Sequence, residues 1–258
     1  MCHYGINVHQ PSYFPTQSGL DNFKEGFEVG PPDLIPQPAN SFAKINLTEA
    51  NVWPGWSANF ASRSGAEALH MELQALSVRL LSLLAVSLKK APDYFTSYSK
   101  NSLSTLRFLH YPAITPPIPQ QELCCTPHTD SGILTLLHQD STGGLEVLSA
   151  DGEWIRAPYV PDSIVVNIGD LMTKVSGGKF KATYHRVRSS PGRGRYSVPF
   201  FFEPGFDCVL TSVDEKDKEG VYYGQHVLEK MKGWIEFRDL EKDEGTIEMV
   251  EEIGEGVE

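Results

Sequence analysis

From Ser62 onward leucines recur at Leu69, Leu73, Leu76, Leu80, Leu83 and Leu84, the three- and four-residue spacing that lays side chains along one side of an α-helix. This predicts a long amphipathic helix over 61–92, with Lys89 and Lys90 near its carbonyl end, where cations are favoured, and Pro92 just past its stop. The leucine stripe is expected to be core rather than a surface for a partner. After the helix the period changes to short apolar or alternating runs: "STLRFLHY", "ILTLLHQ", "GLEVLSA", "EWIRAPY", "SIVVNIG", "ATYHRVR" and "YSVPFFFE". Turn-forming stretches such as "STGG", "ADG", "VPD", "SGGK" and "SPGRG" separate them. Short strands at such close spacing predict a sandwich or barrel rather than a parallel sheet.

The flanks carry weaker patterns. Residues 1–60 are rich in Pro, Gly and Asn without a sustained period, which predicts an irregular segment. A helical stretch is expected within 207–238, in "YYGQHVLEKMKGWIEF", followed by an acidic, solvated tail over 239–258 to which no function is assigned.

Composition narrows the partners. A net charge of -11 disfavours nucleic acid and anionic membrane, both polyanions, and points to a small-molecule partner. The run "LLSLLAVSL" is far shorter than the roughly 20 residues a membrane span needs. No basic patch leads into an apolar segment at the N-terminus, and four cysteines, two of them the neighbours Cys124 and Cys125, do not make a secreted disulfide framework. A cytoplasmic location is expected.

The candidate chemistry begins with His128 and Asp130, two positions apart at the entrance of an apolar run. Such a pair is either hydrogen-bonded or the start of a metal site. In "ATYHRVR" alternation places Thr183, His185 and Val187 on one face. If that strand lies across a barrel from "ILTLLHQ", then His128, Asp130 and His185 converge as two imidazoles and one carboxylate, the facial set that holds oxygen-activating iron and leaves positions open. Arg195 and Ser197, i and i+2 on a strand, point the same way and can bind one carboxylate. Cys124 and Cys125 beside His128 are a poor zinc set, because adjacent cysteines chelate badly. His138, His70 and His226 are expected to be satisfied structural histidines.

The order of His-x-Asp, His and Arg-x-Ser, together with "KEGFEVG", "LRFLHYP", "PHTDSGILTLLHQD", "GGLEVL", "GEWIRAPYVPDSIVVNIGDLM", "GGKFKATYHRV" and "RYSVPFFFEP", resembles the 2-oxoglutarate/Fe(II) oxygenases related to isopenicillin N synthase. The resemblance runs over roughly residues 24–238 and rests on the combination of these segments rather than on any one of them. It implies a mainly β fold with flanking helices around a double-stranded β-helix, a jelly roll of the cupin kind, over 103–206. It implies Fe(II) on His128, Asp130 and His185, and 2-oxoglutarate whose far carboxylate is held by Arg195 and Ser197. Tyr111 matches a tyrosine that helps bind co-substrate or substrate. Asn167 is left without a role.

The implied reaction uses O₂ to hydroxylate or desaturate a small, partly apolar metabolite and releases succinate and CO₂. "FFFEP", "MTKVSGGKF" and the C-terminal helix are expected to shape its pocket. The alternatives are an oxidase like isopenicillin N synthase that uses no 2-oxoglutarate, and a catalytically silent binding protein. Two departures stand out: Leu109 occupies a position where many plant relatives carry Asn, and only 23 residues precede Lys24, which implies a shortened N-terminal lobe. A barrel face left open in that way would favour self-association.

Overall fold

A computed structural model describes residues 24–33, 47–48, 50–51, 53, 62–113, 123–188, 190, 192–214 and 220–231. The expected acidic tail and most of the segment before Ser62 lie outside the described residues. Two sheets dominate. The larger contains β1 (Glu25–Val29), β2 (Thr105–Tyr111), β9 (Arg195–Phe202), β4 (Leu134–Gln139) and β7 (Val165–Ile168), in that spatial order. The smaller contains β3 (Leu123–His128), β8 (His185–Arg188), β5 (Leu145–Leu148) and β6 (Trp154–Arg156). Every pairing in both is antiparallel. The two sheets face each other across a cavity, the arrangement of a double-stranded β-helix.

Period-two alternation gives the larger sheet two different faces. Leu106, Leu134, Leu136, Phe200 and Phe202 point one way into the main core, each at most 1% exposed. Tyr111, Thr135, Leu137, Ser197 and Phe201 point the other way and line the cavity. Each buried Phe or Leu of the first set contributes roughly 1.5–3 kcal/mol by leaving water.

The core face is covered by α1 (Ser62–Ser87). By length and hydropathy the stretch Arg63–Ser87 could cross a bilayer, a property the run "LLSLLAVSL" alone did not reveal. Here it lies on the sheet, with Ala66, His70, Leu73, Ser77, Leu81 and Ala85 buried. The polar members of this face are satisfied inside: His70 Nε2 bonds the Ser104 carbonyl at 2.9 Å and its ring meets Phe200 edge-on, while Ser77 donates to the Leu73 carbonyl.

This corrects the expected leucine stripe. Leu73 is core, but Leu69 and Leu83 are 39% and 66% exposed, because a helix apolar on several sides gives its phase away poorly. The helix also ends before the expected lysines. Lys89 adopts a left-handed φ of 60° and the Lys90 amide reaches back to the Ala85 carbonyl, a capping turn that satisfies carbonyls left over at the helix end.

The structure adds elements that the pattern did not suggest. β1 pairs with β2 inside the stretch expected to be irregular, and β3 forms over "LCCTPH". A short helix, α2 (Asp170–Val175), follows β7. Beyond the barrel, β10 (Val209–Leu210) pairs with β11 (Val221–Tyr222), which leads into α3 (Tyr223–Met231).

Candidate metal centre and co-substrate cavity

His128 ends β3 and His185 begins β8, and the two are register partners on neighbouring strands. They meet side by side in the smaller sheet, which faces the "ILTLLHQ" strand β4 across the cavity; β3, the strand that carries His128, is one the sequence did not show. Asp130 sits in the connection that carries the chain from β3 over to β4 in the larger sheet. The His185 and His128 Nε2 atoms lie 3.6 and 3.9 Å from Asp130 Oδ1, and the imidazole centroids are 4.2 Å apart. One ligand atom from each of the three falls within 4.8 Å of the others.

The remaining polar atoms of these side chains are tied back to the protein. His128 Nδ1 bonds the Thr126 carbonyl at 2.8 Å and His185 Nδ1 the Thr183 carbonyl at 3.1 Å. A carbonyl only accepts, so both Nδ1 atoms carry hydrogen, and both Nε2 atoms face the carboxylate. Asp130 Oδ2 accepts from Thr135 Oγ1 and from Asn167 Nδ2, each at 2.7 Å, leaving Oδ1 for the imidazole side. Such outer partners fix the direction of a ligand and tune its basicity.

The Asp130 loop is clamped from behind by the start of α2. The Asp170 amide donates to the Asp130 carbonyl at 2.8 Å, and those of Leu171 and Gly169 to the Gly132 and Ile133 carbonyls. Gly169 passes so close that a Cβ there would stand 2.1 Å from the Gly132 oxygen; only glycine allows that approach.

Electrostatics separate the two histidines. Burial holds the His185 pKa below its ordinary value. Burial opposes charge on His128 as well, but the hydrogen bond and charge of Cys125, the Thr126 carbonyl and Asp130 together lift it to about 9. Surroundings that favour a proton on His128 also favour a metal cation.

On the same cavity, Arg195 and Ser197 stand together on β9. Arg195 donates through Nε to the Gly143 carbonyl at 2.7 Å and through one terminal nitrogen to Ser197 Oγ at 2.9 Å. The other terminal nitrogen lies 3.5 Å from Gln139 Oε1. The guanidinium is 5.0 Å from the Tyr111 ring centroid. Arg195 and Ser197 are 4% and 2% exposed, and among the described residues no carboxylate pairs with Arg195. A buried cation held only by neutral acceptors is a receptor for an anion. Tyr111, its register partner on β2, is buried, which pushes its phenol well above the usual value and keeps it neutral.

The cavity measures about 250 Å³, and besides the groups above it is lined by Leu109, Leu137, Leu145, Val147, Val187 and Phe201. It therefore draws its walls from both sheets rather than from "MTKVSGGKF" or α3, whose described residues do not reach it; of "FFFEP" only Phe201 does, Phe200 and Phe202 being core. Thr183, His185 and Val187 all face it, as alternation requires. Cys124, Cys125 and Cys208 are unpaired thiols, and among the described residues no second metal-binding group forms around them. His138 is exposed rather than structural, and His226 bonds the Ser131 carbonyl next to Asp130.

Sequence reasoning passed over Thr135 and gave Asn167 no role. A polar residue inside an apolar strand, on the face that also carries cavity residues, was the available signal for both.

A double-stranded β-helix with two histidines and an aspartate at one part of its cavity and a buried arginine at another defines a class, the non-haem iron oxygenases. The family model of the 2OG-Fe(II) oxygenase superfamily matches residues 102–204, and the chain belongs to this family. It is 34% identical over 224 residues to a 2-oxoglutarate-dependent dioxygenase of Monascus ruber, covering 82% of this chain and 67% of that one. It is 37% identical over 205 residues to a 2-oxoglutarate-dependent dioxygenase of Didymella fabae, covering 76% of this chain and 61% of the relative. Among solved structures, a full-length Neurospora crassa protein in complex with alpha-KG superposes with a TM-score of 0.71 at 29% identity, over 83% of this chain and 66% of that chain. A further complex of the same Neurospora crassa protein holds alpha-KG and thymine, with a TM-score of 0.70.

Proposed function

We propose that this chain is an Fe(II)- and 2-oxoglutarate-dependent oxygenase acting on a small, partly apolar molecule. The observation that carries this is the pairing, within one cavity, of a converging His128–Asp130–His185 donor set with an arginine that has a serine beside it and no carboxylate partner.

His128, His185 and Asp130 hold the metal through Nε2, Nε2 and Oδ1, while the Thr126 and Thr183 carbonyls fix both imidazole tautomers. Thr135 and Asn167 keep Asp130 turned. Arg195 and Ser197 take the far carboxylate of 2-oxoglutarate, with Tyr111 flanking the guanidinium. When bound, iron and 2-oxoglutarate supply O₂-driven oxidation of a C–H bond with release of succinate and CO₂. The apolar walls exclude water and position the substrate. The net charge of -11 supports a small substrate over nucleic acid, and the unpaired thiols of Cys124, Cys125 and Cys208 support a reducing compartment.

The test is anaerobic addition of Fe(II) and then 2-oxoglutarate, followed by the visible charge-transfer band of the chelated 2-oxo acid. The parent is expected to show the band. Arg195→Ala is expected to need about a hundredfold more 2-oxoglutarate to reach it, the loss of a buried charge-assisted pair. A folded protein that binds iron but shows no band overturns the proposal.

A further inference from the structure

Three cations reach the cavity wall: Lys24, Arg107 and Arg195. Arg107 forms an ion pair with Glu28 of β1, and its guanidinium lies over the Phe201 ring at 5.2 Å. Arg195 is matched by the far carboxylate of the co-substrate. Among the described residues Asp130 is the only acid on the wall. With a divalent iron and the 2-oxoglutarate dianion in place, the charges of metal, Asp130, co-substrate and Arg195 cancel. Among the described cations of the wall, Lys24 alone remains uncompensated.

Its position is defined by the sheet. Gly26 stands opposite Leu109 and Glu28 opposite Arg107 in the β1–β2 register. Alternation therefore places Lys24, just ahead of β1, on the same cavity face beside Tyr111. It is half-buried, and among the described residues it has neither a hydrogen bond nor an ion pair. An ammonium facing an apolar cavity without a partner is costly unless an anion joins it.

We propose that the molecule oxidised in this cavity is a small organic acid, its single carboxylate bound by Lys24 and its apolar body lying against Leu109, Leu137, Val147 and Phe201. This rests on the iron and 2-oxoglutarate reading above and adds the substrate class to it. Lysine serves as a point charge here, so the anion is recognised by sign more than by geometry.

The experiment titrates oxygen-free protein loaded with Fe(II) and 2-oxoglutarate calorimetrically with matched probes. These are carboxylic acids with phenyl, cyclohexyl and octyl bodies, and the corresponding primary amides. Acids are expected to bind the parent at least about tenfold tighter than their amides, the worth of one charge-assisted contact. Lys24→Met is expected to abolish that preference and Lys24→Arg to keep it. The charge-transfer band is recorded in every sample, so that a folded, loaded cavity is established before binding is compared. If the band is present and acids bind no better than amides, if no acid binds, or if the preference survives Lys24→Met, the substrate class is wrong while the cofactor reading stands. A parent without the band overturns both.

Discussion

The two polar regions of the cavity are built on opposite plans. At the metal side each functional side chain has one atom tied to a neutral protein group and presents the other, so that two imidazole nitrogens and a carboxylate oxygen face the same point. At the arginine side the functional group is a full cation surrounded by a carbonyl, a hydroxyl and an amide oxygen, none of which cancels its charge. One region is prepared to give electrons to a cation and the other to receive an anion. The difference shows that burial of charge here is directed by what each group still lacks.

The largest expected effect comes from removing the negative member of the donor set. Asp130→Ala should weaken Fe(II) binding by about a thousandfold or more. It also leaves Thr135 Oγ1 and Asn167 Nδ2 without their acceptor, at a cost of about 1–3 kcal/mol in stability. Metal stoichiometry by atomic absorption and a denaturant midpoint measure the two losses separately.

Next is Arg195→Lys, which keeps the charge but loses the planar fork; the KM for 2-oxoglutarate should rise by about ten- to thirtyfold with iron binding unchanged. That result would separate the two regions functionally. A coupled loss of iron affinity would break the comparison.

Asn167→Ala and Thr135→Val probe the orienting bonds on Asp130 Oδ2. Each should lower iron affinity about tenfold, the usual scale for such outer partners. Since both bond one oxygen, the double variant should fall short of the product of the two effects, which a competition titration with a chelator can resolve.

The last effect falls outside both polar regions and on stability alone; it concerns Glu203, beside Gly132 under the Asp130 loop. Its Oε2 is buried without a hydrogen-bond partner. Burial raises its pKa to about 8, with a hydrogen bond to Tyr223 opposing and Asp130 adding to the rise. The folded state therefore keeps a proton that the unfolded chain loses near pH 4.5. The stabilisation is complete below pH 4.5 and is lost as pH climbs to about 8. Glu203→Gln should match the parent near pH 4.5 and exceed it by about 1–3 kcal/mol at pH 8, read from denaturant midpoints at the two pH values.

The sequence made most of the barrel legible because β2, β4, β5, β7 and β9 each carry an apolar or alternating run between turn residues. β3 was hidden because "LCCTPH" contains a proline and no alternation, and its two register shifts against β8 have no trace in composition. Without β3, the neighbouring placement of His128 and His185 could not be read, although their convergence with Asp130 was expected. β1 was hidden in a proline- and glycine-rich stretch, and with it the cavity-facing position of Lys24. The phase of α1 was ambiguous for a different reason: Leu69, Met71, Leu83 and Val86 are exposed around a helix that is apolar on several sides. Ser197 at i+2 from Arg195 was legible because strand geometry alone decides it. The Gly143 carbonyl that holds the arginine comes from a distant turn and is not.

That turn has its own consequence. Gly143 and Gly144 have φ of 70° and 87°, and a Cβ on Gly144 would stand 2.7 Å from the Arg188 oxygen. Asp140 closes the same turn, bonding the Thr142 amide through one oxygen and the Tyr196 amide through the other. The guanidinium is thus pinned by a part of the chain with little room to give, and its distance from the donor set is a fixed length. An anion that enters the cavity has to come to the arginine, because the arginine is not free to come to it.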